Sequence, residues 1–149
     1  DNNADAFGRS AFNRYYYSSY LITREMLKKL NPKWAMAGHG TIPKVLKESV
    51  TKKARQEIKR AERGSLINLQ TSSSLRHSLN LAVAELSSLL SLAYSVRITA
   101  DYEPECRVFR AGGSIKLNDQ SLEAAKSWPD KAAVFSKTIL RVWSDLGIS

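Results

Sequence analysis

The sequence predicts an all-α protein whose four main helices pack as a bundle. Three observations carry that reading. Apolar residues recur at intervals of three and four over four long stretches, which places them on single helix faces. Helix breakers (Asn31-Pro32, Gly64, Glu103-Pro104, Gly147) fall between or after those stretches. No internal repeat and no strand pair of any strength competes with the helical period. At 149 residues the chain is expected to be a single domain spanning 1–149, large enough to bury a core without staples.

The first helix is expected from about Asp5 to Asn31. Phe12, Tyr16, Tyr20, Thr23, Leu27 and Leu30 form its stripe, widened by Tyr15, Ile22 and Met26, with Gly8 the one interruption. The tyrosines at 15, 16, 17 and 20 point in different directions, so at least one phenol must lie away from the core, at an interface or site. Arg14 shares a face with Phe7, Ala11, Ser18 and Leu21, and reads either as a charge aimed inward or at a partner subunit, or as a snorkelling surface arginine. A loop, Pro32 to Thr41, holds Trp34, Met36 and the Gly38-His39-Gly40 triplet. A histidine between glycines sits on permissive backbone, where it can be buried or presented to a ligand.

The second helix is expected over Thr41 to Arg63, with Thr41 as cap and Pro43 in the first turn. Val45, Val50, Ala54, Ile58 and Ala61 give a thin apolar stripe, and Lys44, Lys47, Lys52, Lys53, Arg55, Lys59, Arg60 and Arg63 fill much of the rest. Gly64 to Ser74 reads as a polar loop, with Ser74 or a neighbour capping a third helix that runs to about Ala100 and leaves Arg76 and His77 exposed near its start. Its stripe is Leu79, Val83, Leu86, Leu90, Ala93, Arg97 and Ala100, six apolar or small residues and one arginine. A guanidinium on such a stripe needs an anion or carbonyls, and Asp101, one turn on, is its intramolecular candidate. A structural ion pair at the core edge and a polar site built between helices both fit this pattern.

A connector follows, turning at Gly112-Gly113 and anchored by Phe109, Ile115 and Leu117. The last helical pattern runs from Asp119 to Leu146, capped by Asn118 or Asp119. Pro129 is expected to kink it or split it, with Ser127 capping the second part and Gly147 stopping it.

The net charge is +9, and residues 32–63 alone carry +6 of it. A basic segment of this kind favours an anionic partner, nucleic acid first, although a solvated helix has the same composition. With no base-stacking aromatic on the second helix, Thr41 to Arg63, its eight cations suit phosphate contact rather than base reading. The lone cysteine, Cys106, excludes an internal disulfide framework and fits a reducing compartment. No signal-peptide pattern opens the chain and no apolar run approaches the ~20 residues of a membrane span. A cytoplasmic protein without membrane contact is expected.

Enzyme templates are mostly excluded. Ala111-Gly112-Gly113-Ser114 lacks the strand before and the lysine after it that a phosphate loop needs. Two histidines, His39 and His77, with no cysteine or carboxylate cluster make neither a metal quartet nor a Ser-His-Asp arrangement. No metal or cofactor is expected. What remains is a set of arginines, an aspartate, a tyrosine and a loop histidine, groups suited to phosphate recognition and to attack by a ribose 2′-hydroxyl.

Three segments together resemble the HEPN superfamily (higher eukaryotes and prokaryotes nucleotide-binding domains), in particular its small stand-alone prokaryotic members. They are Asn13-Arg14-Tyr15-Tyr16-Tyr17-Ser18, then Gly38-His39-Gly40-Thr41-Ile42, then Val96-Arg97-Ile98-Thr99-Ala100-Asp101-Tyr102-Glu103-Pro104. The match in order and spacing spans most of the chain, and the Arg-x-x-Ala-Asp-Tyr piece is its most specific part. The resemblance implies an up-and-down four-helix bundle that forms a homodimer, with polar residues in the cleft between protomers. It also implies a metal-independent endoribonuclease acting as a toxin or antiphage effector, with a nucleotidyltransferase antitoxin as partner. The alternative within the family is a catalytically silent module that binds nucleotide, RNA or a protein. The chain departs from the ribonuclease members in lacking an Arg followed four to six residues later by His in the third helix; a helical subunit of a larger assembly also stays open. The site expected on this basis comprises Arg14, His39, Arg97, Asp101 and Tyr102, with the eight cations of the second helix on the RNA backbone.

Overall fold

A computed structural model describes residues 2–103, 108–111, 114–117 and 120–148. Cys106, the Gly112-Gly113 turn, Pro104 and the caps expected at Asn118 or Asp119 lie outside the described residues, as does the Phe109 side chain. The described chain is mostly helical, 86%.

Helix α1 spans Asn2–Leu30. Its predicted stripe is the buried one: Phe12, Tyr16, Tyr20, Thr23, Leu27 and Leu30 are each no more than 8% exposed. Two 3₁₀ turns follow, Pro32–Met36 and His39–Thr41. Asn31 initiates the first by accepting the Lys33 amide on Oδ1 at 3.0 Å. Helix α2 (42–63) opens with an α turn at Ile42–Lys44, widens to a π-helix over Val45–Val50 and returns to α over Thr51–Arg63. Thr41 does not cap it. Its hydroxyl instead donates back to the Gly38 carbonyl at 2.8 Å and closes the preceding turn. In the π stretch Thr51 Oγ1 donates to the Leu46 carbonyl, five residues back, so one side chain supports the widened ladder.

Helix α3 runs Leu69–Tyr102 and begins five residues before the expected cap. Asn68, extended at φ −86° and ψ 172°, accepts the Thr71 amide on Oδ1 at 2.7 Å and is the true N-cap. The serine-rich stretch after it is helical, and its one buried serine is partnered: Ser72 Oγ bonds Glu62, and Arg76 Nη1 donates to both, at 2.9 Å to Glu62 and 2.8 Å to Ser72. Arg76 is therefore half-buried rather than exposed as expected, while His77 is exposed.

The connector is not a bare loop. It forms three short antiparallel strands, β1 (Val108–Ala111), β2 (Ser114–Leu117) and β3 (Gln120–Ser121), in the order β1-β2-β3. Val108 pairs with Leu117 and Ala111 with Ser114. Val108 and Leu117 are buried. This small sheet packs on the start of α1, and Gly8 permits the approach: a methyl there would collide with Val108 Cγ1 and sit 3.1 Å from Ile115 Cγ2. The residue that interrupts the helical pattern is thus the one against which the sheet rests.

The final pattern is two helices, split where Pro129 predicted. Helix α4 (Leu122–Lys126) is capped by Ser121, whose hydroxyl accepts the Ala124 amide at 3.0 Å. Helix α5 (Trp128–Asp145) carries Pro129 in its first turn, where a missing N–H costs nothing. Ser127 stands at the α5 cap position, but its hydroxyl donates to the Ala124 carbonyl and ends α4 instead. Gly147 at φ +67°, in the left-handed region, ends the helix as expected.

Helix α1 packs along α3 and α5, and α2 packs on α3. The core comes from their facing stripes, including Ile58, Leu79, Leu86, Trp128, Ile139 and Val142. Each such side chain contributes about 1.5–3 kcal/mol by leaving water. As a formed helix, α3 has an 18-residue window of mean hydropathy 1.4 and, among the described residues, is the one helix whose length and composition would cross a membrane. No unbroken apolar run marks it, because Asn80, Glu85 and several serines interrupt the stretch, while its many leucines keep the window mean high. The apolar face of α3 (Leu79, Val83, Leu86, Leu90, Ala93) is committed to the protein core.

Candidate functional site

Three elements meet at Tyr16. Helix α1 supplies Tyr16 and Tyr20, one turn apart on its core stripe, and the His39–Thr41 turn supplies His39. Helix α3 supplies Tyr94 and Arg97, three residues apart and so on one face. Tyr16 Oη lies 2.7 Å from His39 Nδ1. The His39 ring stacks on Tyr20 with centroids 3.8 Å apart and planes at 23°. Tyr94 tilts against Tyr16 at 5.8 Å, and the Arg97 guanidinium carbon lies over the Tyr16 ring at 6.0 Å.

The loop bearing His39 is held from two sides. Trp34, in the first 3₁₀ turn, packs edge-on against Trp143 of α5 at 5.9 Å and 78°. At the other end, a Cβ on Gly40 would touch the Tyr94 ring at 3.7 Å, so this backbone rests on α3. A short loop pinned at both ends keeps its histidine in one place.

Arg97 does what its stripe position demanded. Its Nε pairs with Asp101 Oδ2 at 3.0 Å and donates to Asn13 Oδ1 at 3.4 Å. Both partners of the ion pair keep about a quarter of their side chain open to solvent, 25% and 26%. The pair is therefore neither fully buried nor a simple surface bridge.

The electrostatics follow from this packing. Burial pushes the Tyr16 phenol well above its ordinary value, and Arg97 pulls it back only in part. Burial also lowers His39 below its ordinary 6.5, reinforced by the positive charges of Arg97 and Arg24. At neutral pH both groups are uncharged, Tyr16 as the phenol and His39 as the imidazole. The tautomer that donates from Nδ1–H to the Tyr16 oxygen leaves a lone pair on Nε2, the nitrogen not engaged by the phenol.

The C-terminal end of α3 is secured by a clamp that no sequence pattern announced. Asp5 accepts from Arg9 Nε at 3.0 Å and from the Val108 amide at 2.9 Å. Arg9 Nη1 donates to the Ala100 carbonyl at 2.6 Å, placing a cation on the negative end of the helix. This fixes the turn from which Asp101 reaches Arg97.

Of the five expected site residues, His39, Arg97 and Asp101 come together. Arg14 stands exposed on α1, with Phe7 and Leu21 also exposed on that face, so the inward reading is replaced by an outward one. Tyr102 is 67% exposed and joins none of the ring pairs among the described residues. Tyr16, Tyr20, Tyr94, Asn13 and Arg24 belong to the cluster without having been singled out for it; the crowding of tyrosines at 15, 16, 17 and 20 was the available signal.

On α2, Lys44, Lys47, Lys52, Arg55, Lys59, Arg60 and Arg63 are exposed and Lys53 is half-buried. Lys53 and Arg60 share Glu57, at 3.1 Å and 3.5 Å, and Arg55 donates to Asn80 at 3.4 Å. Exposed pairs of this kind are worth little, about 0–1 kcal/mol, and yield readily to a polyanion. Among the described residues no group of three His, Cys, Asp or Glu side chains could hold a metal ion.

No protein-family model matches the chain, and neither a curated protein nor a solved structure matches it.

Proposed function

We propose that this chain is a cytoplasmic, RNA-directed protein of the HEPN type, an up-and-down four-helix bundle that cleaves RNA without a metal ion. The observation that carries the reading is the convergence of His39 and Arg97 on Tyr16. The third helix lacks the usual histidine after its arginine, and a histidine from the 38–41 loop comes to the same tyrosine by another route. In this reading the Tyr16 oxygen accepts a hydrogen bond from His39 Nδ1–H and orients the ring. Nε2 then takes the proton of a ribose 2′-hydroxyl, and the oxygen attacks the adjacent phosphorus. Arg97, steadied by Asp101, stabilises the negative charge on the phosphoryl oxygens. The P–O5′ bond breaks, the 5′-oxygen takes a proton from water or from the imidazolium just formed, and the fragment ends in a 2′,3′-cyclic phosphate. The exposed cations of α2 hold the RNA backbone. A homodimer that brings two such sites together, and a nucleotidyltransferase or other protein partner, belong to the same proposal.

One observation favours a second reading. Asp101 and Asn13 hold Arg97 in place through Nε, and its guanidinium lies over the Tyr16 ring, an arrangement that also suits a silent module binding nucleotide, RNA or protein. A cleavage assay in excess EDTA separates the two. The catalytic reading expects wild type to cut a long RNA while His39→Ala and Arg97→Ala do not. Uncut RNA that the folded protein nonetheless retains would leave the binding module.

A further inference from the structure

Tyr17 differs from the tyrosines beside it. Tyr16 and Tyr20 are 1% and 7% exposed, whereas Tyr17 is 50% exposed. Its ring is buttressed rather than adrift: its centroid lies 6.0 Å from Tyr20 and 6.3 Å from His39, with planes at 41° and 28°. The Tyr20–His39 stack thus supports an aromatic ring that keeps half its surface in solvent.

Apart from Leu21, the positions in line with Tyr17 on α1 are cationic where a core-facing row would be apolar. Arg14 lies three residues before it, Leu21 and Arg24 four and seven after it, and Lys28 one turn further; all are exposed. Arg24 is also near enough to His39 to act on its charge. At 1.5 Å per residue the row from Arg14 to Arg24 is roughly 15 Å long, the reach of a few nucleotides of an extended strand. An exposed ring between cations, beside the proposed general base, has the composition of a single-strand track: phosphates on the arginines, a base on the ring.

We propose that the Arg14–Tyr17–Arg24 row of α1 binds single-stranded RNA, stacking one unpaired base on Tyr17 with flanking phosphates on the two arginines, so that the ribose of that nucleotide lies at His39. This rests on the RNA reading above and goes further in naming the strand state and the base subsite. A duplex cannot use the row, because its bases are already stacked on one another. The basic face of α2 then supplies general phosphate affinity, and α1 supplies selection for unpaired nucleotides.

The test is fluorescence anisotropy with the full chain, a labelled 12-nucleotide single-stranded RNA and a duplex of the same length, at one fixed salt concentration. Tyr17→Ala should weaken single-strand binding roughly 5- to 150-fold, the range for losing one base–aromatic stack. Tyr17→Trp should restore it, Tyr17→Leu should not, and duplex binding should stay unchanged in all three. Arg14→Ala should reduce the salt slope of single-strand binding by about one. Single-strand binding by Tyr17→Ala equal to wild type overturns the proposal; if Lys47→Glu/Lys52→Glu abolishes binding in the same series, the RNA reading stands without it. Equal losses on both RNAs would also overturn stacking, as would a Tyr17→Ala variant whose only change is dissociation of a dimer. Wild-type protein that binds neither RNA overturns both readings at once.

Discussion

Replacing Tyr16 separates the two things that residue does. Its ring fills core space beside Tyr20, Tyr94 and His39 at centroid distances of 6.3, 5.8 and 5.6 Å, and its hydroxyl bonds His39 Nδ1 at 2.7 Å. Tyr16→Phe keeps the ring under Arg97 and removes only the hydroxyl. The loss is one neutral hydrogen bond, about 0.5–1.5 kcal/mol. His39 is part-exposed and can recover a water partner, which places the expected cost at the lower end of that range. For a chain of this size that is a fall in Tm of roughly 1–6 °C. Tyr16→Ala removes the ring as well and leaves a cavity at a 1%-exposed position, at a cost of about 3–5 kcal/mol and roughly 6–20 °C. The assay is thermal unfolding of the three proteins by circular dichroism, with the His39 ring nitrogens followed by NMR. Tyr16→Phe should move the Nδ1 resonance while leaving most of the stability. A Phe variant as damaged as the Ala variant, or one whose His39 nitrogen shifts do not change, would refute the proposed pairing.

Other expectations follow from single contacts. Gly8→Ala gains about 1 kcal/mol of helix propensity but collides with the stiff Val108 side chain, an overpacking cost of about 1–3 kcal/mol, so the net effect should be a lower Tm; a higher Tm would show that the sheet does not rest on Gly8. Because His39 is held below its ordinary 6.5, the unfolded chain takes up that proton first as pH falls. Wild type should therefore lose stability relative to His39→Gln from about pH 6.5 downward and show no histidine-linked change above it, as measured by urea unfolding across pH. Asn68→Ala should cost about 1 kcal/mol as loss of the true α3 cap, whereas Ser74→Ala, exposed within the helix, should stay within about 0.5 kcal/mol.

Where the sequence could be read, the reading depended on periodicity. The α1 stripe from Phe12 to Leu30 and the α3 stripe from Leu79 to Ala100 span enough turns for the helical period to be unambiguous. Arg97–Asp101 was legible for the same reason, since residues four apart on a helix must be neighbours. The strands were not legible. Four-residue segments such as Val108–Ala111 are too short to show an alternation, and they form because Gly8, a hundred residues earlier in the chain, leaves room for them. The start of α3 was hidden by serines that usually favour loops; here Ser72 is satisfied by Glu62 and Arg76, and Ser73 and Ser74 face solvent. The partners of His39 and Arg9 were out of reach as well: one depends on a loop folding back over α1, the other on a contact spanning 91 residues. Arg14 shows the limit of the face argument. Its small neighbours Ala11 and Ser18 suggested burial, but the helix turns its Phe7, Arg14 and Leu21 edge outward.

The central claim is that neutral His39 acts on RNA beside Arg97, and its most direct test is the rate of cleavage in EDTA as a function of pH, with end-group analysis of the fragments. The fragments should end in 2′,3′-cyclic phosphate, and the rate should fall in acid through an apparent pKa below 6.5 and vanish in His39→Ala. A rate unchanged by His39→Ala, or no cleavage by the folded protein at any pH, would contradict it.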